Sequence, residues 1–382
     1  MADLITLREA REQFALTEPL AAASFATLDE NGRKAPYTIY DDKWRMQPEG
    51  APVTNPVPVW LVVPELGKTF QLTFQAAQQL GSTCRIPQDL QVSVPAEHVQ
   101  GLVNWFLADP RGLGERLLKL LISPQPGEDD SGKPAPLAVA QTRATVQPFS
   151  NLTLLDEIQK VIAAKYGSAA ATRAVAHFTM HHDLEHTDCC VVVPDASQGI
   201  AGEQWAPGLM FTNSCIGLKQ TTATGALVRM ESSAVVLDGA HTAGGFKRLN
   251  STPAEAYEWM GEAASDCLKA LDEIGFGNVK DLADMPVGEH AGTFVESLCN
   301  EFRVPKAQLE RITSVLEEWT GPLTMYELVG IVSRCANMEG LNWRAVSQLQ
   351  VMSGHVVHSE GARCSQGRPC YRALPPGFIL PG

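Results

Sequence analysis

Imidazoles and thiols cluster twice along the chain, and both clusters have the composition of a metal site. His181-His182-Asp183-Leu184-Glu185-His186-Thr187-Asp188-Cys189-Cys190 carries enough nitrogen and sulfur donors to give a zinc-sized ion three or four ligands. His181, His182, His186 and Asp188 are the residues a metal-assisted hydrolase would use. The competing reading is the polar tip of a hairpin, because strand alternation sends the adjacent Cys189 and Cys190 to opposite faces. The second cluster is His355, His358, Cys364 and Cys370, spaced HxxH-x5-Cx5C. That spacing departs from the CxxC pairs of zinc fingers. Even so, a short Gly-rich tail without a core of its own would gain most from a structural zinc.

A third polar group closes the segment Gly208 to Gly217, where a strand reads as ending in Thr212-Asn213-Ser214 before a turn at Gly217. Asn213 and Ser214 suit hydrogen bonds to exposed backbone. Cys215 invites a nucleophile reading, but no base is identifiable beside it. The familiar catalytic signatures are missing: no Walker loop, no GxGxxG after a strand, no GxSxG and no HExxH. Gly239-Ala240-His241-Thr242-Ala243-Gly244-Gly245 lacks the P-loop Lys-Ser/Thr pair and reads as a turn.

The elements that must position these groups follow from periodicity. Residues 1–68 read as an N-terminal capping segment. It holds a short helix through Leu7, Ala10, Phe14 and Leu16, a hairpin turn at 29–34 and a strand at Val59–Val63. An α+β core spans 69–250, with an exposed loop at 123–136. Helices are expected from about Thr73 to Gly81 and from after Pro95 to before Asp109-Pro110, the second with Val99, Leu102, Val103, Phe106 and Leu107 on one face. Strands are expected at Leu137–Val146, Arg173–Met180, Asp188–Val193, Gly208–Thr212 and Ala226–Val236, with a helix at Asn151–Ala164. From 251 to 354 the pattern is helical. Capping boxes open at Thr252-Pro253-Ala254-Glu255 and Thr324-Met325-Tyr326-Glu327. Residues 355–382 form a Cys/His/Arg-containing tail. The class is α+β: a mixed, mainly antiparallel sheet in the middle, with helices segregated toward the C-terminal part.

Charge bears on partners. The 382 residues hold 30 Lys+Arg and 43 Asp+Glu, a formal charge of −13. Residues 251–330 alone contribute −10, while 344–382 carry +3. Acid is thus concentrated in one helical block, which leaves room for a basic surface elsewhere. Apolar residues make up 45% of the chain, which excludes a mainly disordered protein. No apolar run reaches the roughly 18–20 residues of a membrane span. Nine scattered cysteines and a charged N-terminus fit reduced thiols in a cytoplasmic protein.

Several of these segments together resemble a family of uncharacterised phage- and plasmid-encoded proteins with a domain of unknown function. The resemblance covers about 69–358. It rests on Phe74 to Gly81 with Arg85-Ile86-Pro87 and Asn104-Trp105-Phe106-Leu107, on Thr142 to Val146 with Asn151, on Gly208 to Gly217, and on Thr324 to Val329 with Gly354. Cys215 stands where the family carries an acidic residue. The resemblance implies a mobile element in a bacterial host, beside replication and recombination genes. Combined with the missing catalytic signatures, it leads to an accessory protein of DNA metabolism that binds single-stranded DNA without catalysis, for which a homo-oligomer is one possible form. Such binding wants a basic track with aromatic platforms, and Lys219, Arg229, Lys247, Arg248, Trp205 and Phe211 are the candidates. The metal-assisted hydrolase is one alternative. Another is a host-interaction or anti-defence protein that uses the acidic block to imitate DNA or dock a basic partner.

Overall fold

Two large apolar clusters organise the chain, each built on its own sheet. The computed structural model describes residues 4–17, 21–25, 59–63, 67–93, 96–108, 118–128, 133–143, 150–180, 187–214, 221–232, 234–246, 253–270, 276–287, 291–320, 323–336 and 343–365.

The chain opens with β1 (Ile5–Thr6) and α1 (Leu7–Thr17), which buries Leu7, Ala10 and Phe14 and leaves Leu16 exposed. There follow β2 (Ala21–Phe25), β3 (Val59–Val63), β4 (Lys68–Leu72), α2 (Phe74–Thr83), α3 (Gln88–Ser93) and α4 (Ala96–Ala108). Then come β5 (Leu118–Ile122), the two-residue pair β6 (Gly127–Glu128) and β7 (Pro134–Ala135), and β8 (Leu137–Arg143). Five of these strands form a sheet in the order β2-β5-β8-β4-β3, antiparallel except where β4 meets β8. Leu61, Phe70 and Leu72 of the sheet pack with Ala76, Ala77 and Leu80 of α2 and with Val99, Val103 and Leu107 of α4. Thr73 caps α2, accepting from the Ala76 amide at 3.2 Å.

The second sheet is larger. After α5 (Asn151–Tyr166) and α6 (Ser168–Arg173) come β9 (Val175–Met180), β10 (Thr187–Val192), β11 (Gln198–Ile200), β12 (Glu203–Asn213), β13 (Thr221–Arg229) and β14 (Ala234–Phe246). The order is β1-β9-β10-β12-β13-β14, with β11 folded onto β12 through a turn at Ala201-Gly202, both at positive φ. Helices α7 (Pro253–Ala270), α8 (Phe276–Ala283), α9 (Ala291–Glu301), α10 (Lys306–Glu317), α11 (Met325–Ala336) and α12 (Trp343–Ser365) complete the chain. Both faces of this sheet are covered. Cys189, Val191, Trp205, Leu209 and Phe211 enter the larger cluster with the helices, and Cys190, Val192, Ala206 and Met210 enter a smaller one. That is why β10 and β12 read as continuous apolar runs rather than alternating ones. The fold is α+β, mainly antiparallel, with helices segregated toward the C-terminal part. Among the described residues no helix is long and apolar enough to cross a membrane.

Four expectations change. Residues 1–68 are not a single cap: Ile5 and Thr6 pair with Ala176 and Val175 in the large sheet, whereas Ala21–Phe25 and Val59–Val63 belong to the small one. The hairpin at 29–34 lies outside the described residues. On α4, Leu102 faces outward while Val99, Val103 and Leu107 face the core. Leu102, Val103, Trp105, Phe106 and Leu107 put apolar side chains around most of the last two turns, which gives periodicity too little contrast to choose the face. The glycine cluster at 239–245 is not a turn but the outer half of β14. Asp238-Gly239-Ala240-His241 stand opposite Gly225 alone and Gly244-Gly245 opposite Thr222, so glycine serves two bulges. The tail does not start at 355, because α12 continues to Ser365.

Candidate functional site

One end of the large sheet gathers the polar residues singled out in the sequence. Register sets Met180 beside Thr187, Thr187 beside Asn213, and Thr221 beside Phe246. On the face of the larger cluster, Asn213, Thr187 and Thr221 are all buried. The N-terminus of α5 docks onto them. Ser150 caps the helix by accepting from the Thr153 amide, and Asn151, the first helical residue, is buried beside Asn213. Asn213 Nδ2 donates to Asn151 Oδ1 at 2.7 Å, Asn151 Nδ2 donates to Thr187 Oγ1 at 3.3 Å, and Thr221 Oγ1 donates to Asn213 Oδ1 at 2.9 Å. Half-buried Thr212, on the opposite face, donates to Asp188. Together these bonds form a buried amide and hydroxyl network that fixes the N-terminus of α5 to the sheet. Asn151 and Asn213, which belong to two separate segments of the resemblance, meet here.

The segments that continue the chain from this end, 181–186, 215–220 and 247–252, contain His181, His182, His186, Cys215, Gly217, Lys219, Lys247 and Arg248. All of these lie outside the described residues. Cys189 and Cys190 do fall on opposite faces, and burial pushes the Cys190 thiol up to about 12 and that of Cys189 well above the ordinary range. Neither is poised as a thiolate ligand or nucleophile.

The opposite end of the same face holds a different constellation. Arg229 is only 9% exposed, pairs with Glu203, and lies 5.9 Å from the Trp205 ring centroid and 5.4 Å from that of Tyr326. Trp205 Nε1 donates to Tyr326 Oη at 2.9 Å, and the Tyr326 hydroxyl donates to Glu203. Burial, followed by the hydrogen bond to Glu203, pushes the Tyr326 phenol up to about 12. Gly330 on α11 lies so close to Arg229 that a Cβ there would strike the guanidinium. Helix α11 is thus clamped to the sheet by charge, ring stacking and a small residue.

This geometry corrects part of the expected DNA surface. Trp205 and Phe211 are both 0% exposed, and Phe211 stacks on Phe14 at 6.3 Å, so neither can serve as a platform for bases. Arg229 is committed to Glu203 and the clamp. An aromatic residue in a strand gives the same signal whether it faces core or solvent, and burial decides between them.

Three of the four C-terminal metal candidates fall on α12. His355 and His358 are one turn apart on α12, but Cys364 follows His355 by nine residues, roughly 13 Å along a helix axis. His355 lies 5.1 Å from the Phe302 ring, and Cys370 is outside the described residues. Among the described residues no group of three or more His, Cys, Asp or Glu is placed to hold a metal.

Two surfaces went unpredicted. Leu90, Leu102 and Trp105 on α3 and α4 are 44%, 39% and 52% exposed. An open groove of about 430 Å³ runs between α5 and α6, lined by Thr153, Asp156, Gln159, Lys160 and Thr172 among others. Its charges are already paired, Asp156 with Arg11 and Lys160 with Glu157. On α7, Glu255, Glu258, Glu262 and Asp266 are exposed, while Met260, Ala264 and Leu268 face the core, so this part of the acidic block points away from the sheet. No protein-family model matches the sequence, and no curated protein or solved structure matches it either.

Proposed function

We propose that the chain is a non-catalytic accessory protein of DNA metabolism in a phage, plasmid or integrated element, and that it binds single-stranded DNA at the Asn213 end of the large sheet. One observation carries this reading. Neighbouring strands end there in a row, and the segments continuing from them hold Lys219, Lys247 and Arg248, while the Arg229 end is sealed by its own clamp. The outward-facing acid of α7 is compatible with it, because it leaves anionic side chains off the sheet side of that helix. The meeting of Asn151 with Asn213 supports the mobile-element setting, since it joins two parts of the resemblance in one place.

Binding of this kind is driven by counterion release, so affinity falls steeply with salt. A mobility-shift titration of a labelled oligothymidine across salt concentrations tests it. A retarded complex that weakens with added salt is the expected result. No complex even at low salt would overturn the proposal.

A further inference from the structure

We draw no further inference here: the strongest candidate, the exposed Leu102 and Trp105 face of α4 beside Leu90 of α3, is an unpartnered apolar surface, and nothing in the structure shows what covers it.

Discussion

The two ends of the large sheet solve the same problem with opposite chemistry. At each, a helix must be fixed to the face of the larger cluster, α5 at one end and α11 at the other. The α11 end uses an ion pair, Glu203 with Arg229, closed over by Trp205 and Tyr326. The α5 end uses neutral amides and hydroxyls, Asn151, Asn213, Thr187 and Thr221. A buried charge is held in place by its partner and is costly to strand. A neutral network costs less to break. The difference sets an end locked by a buried ion pair against one held by neutral hydrogen bonds, the end at which we propose that DNA binds.

Breaking the charged end should have the largest effect. Glu203→Ala leaves Arg229 buried without its anion and leaves the Tyr326 hydroxyl only the Ile200 carbonyl as acceptor, a loss of about 3 kcal/mol, read as a lower urea midpoint. An unchanged midpoint would mean that Arg229 finds water or another partner and that the clamp is not a lock. Asn213→Ala should cost less, about 2 kcal/mol, through the lost bonds to Asn151 and from Thr221. If it cost more than Glu203→Ala, the ranking of the two ends would be wrong.

Between the ends, His177 on β9 is buried, and its Nε2 has no hydrogen-bond partner. Burial lowers its pKa below the ordinary imidazole value of 6.5. The unfolded chain therefore takes up a proton that the folded chain refuses. This contribution to stability is intact above about pH 6.5 and lost as pH falls toward the lowered folded value. His177→Gln should flatten that part of the stability profile; a profile just as steep would assign the acid sensitivity elsewhere. The smallest expected change is at the turn leading into Glu203. Ala201 sits at φ 51°, so Ala201→Gly relieves Cβ strain and should stabilise by about 0.5 kcal/mol. A loss of stability there would show that the turn is not strained.

Much of the fold was legible because local signals are strong where one side chain settles the backbone. The capping box at Thr324 and Glu327 is formed as expected, with the Thr324 amide donating to Glu327 Oε2 at 2.7 Å. Leu328, Ile331, Val332 and Cys335 then fall on the buried face of α11. The strand at Val59–Val63 and the helix after Pro95 also match the expectation. What stayed hidden depends on distant residues. Nothing near Ile5 announces that it pairs with Ala176, and nothing near Arg229 announces Glu203 or Gly330. The polar site was half legible. Asn213 and Ser214 stood out by type, but their ordinary role, bonding nearby backbone, suggested no link to Asn151, which lies 62 positions earlier. Trp205, Phe211 and Arg229 differ from the expectation because strand sequence alone does not say which helices, distant in the chain, pack on that face.

The most direct test of the central claim compares single-stranded DNA affinity for two variants that target opposite ends. Lys219→Ala/Lys247→Ala/Arg248→Ala should weaken binding at least tenfold. It should also reduce the slope of log affinity against log salt by about 2, at roughly 0.7 per neutralised phosphate contact. Arg229→Met, at a temperature where it remains folded, should bind like the parent chain. Equal affinity for the triple variant and the parent, or a selective loss on Arg229→Met, would contradict the assignment of the two ends.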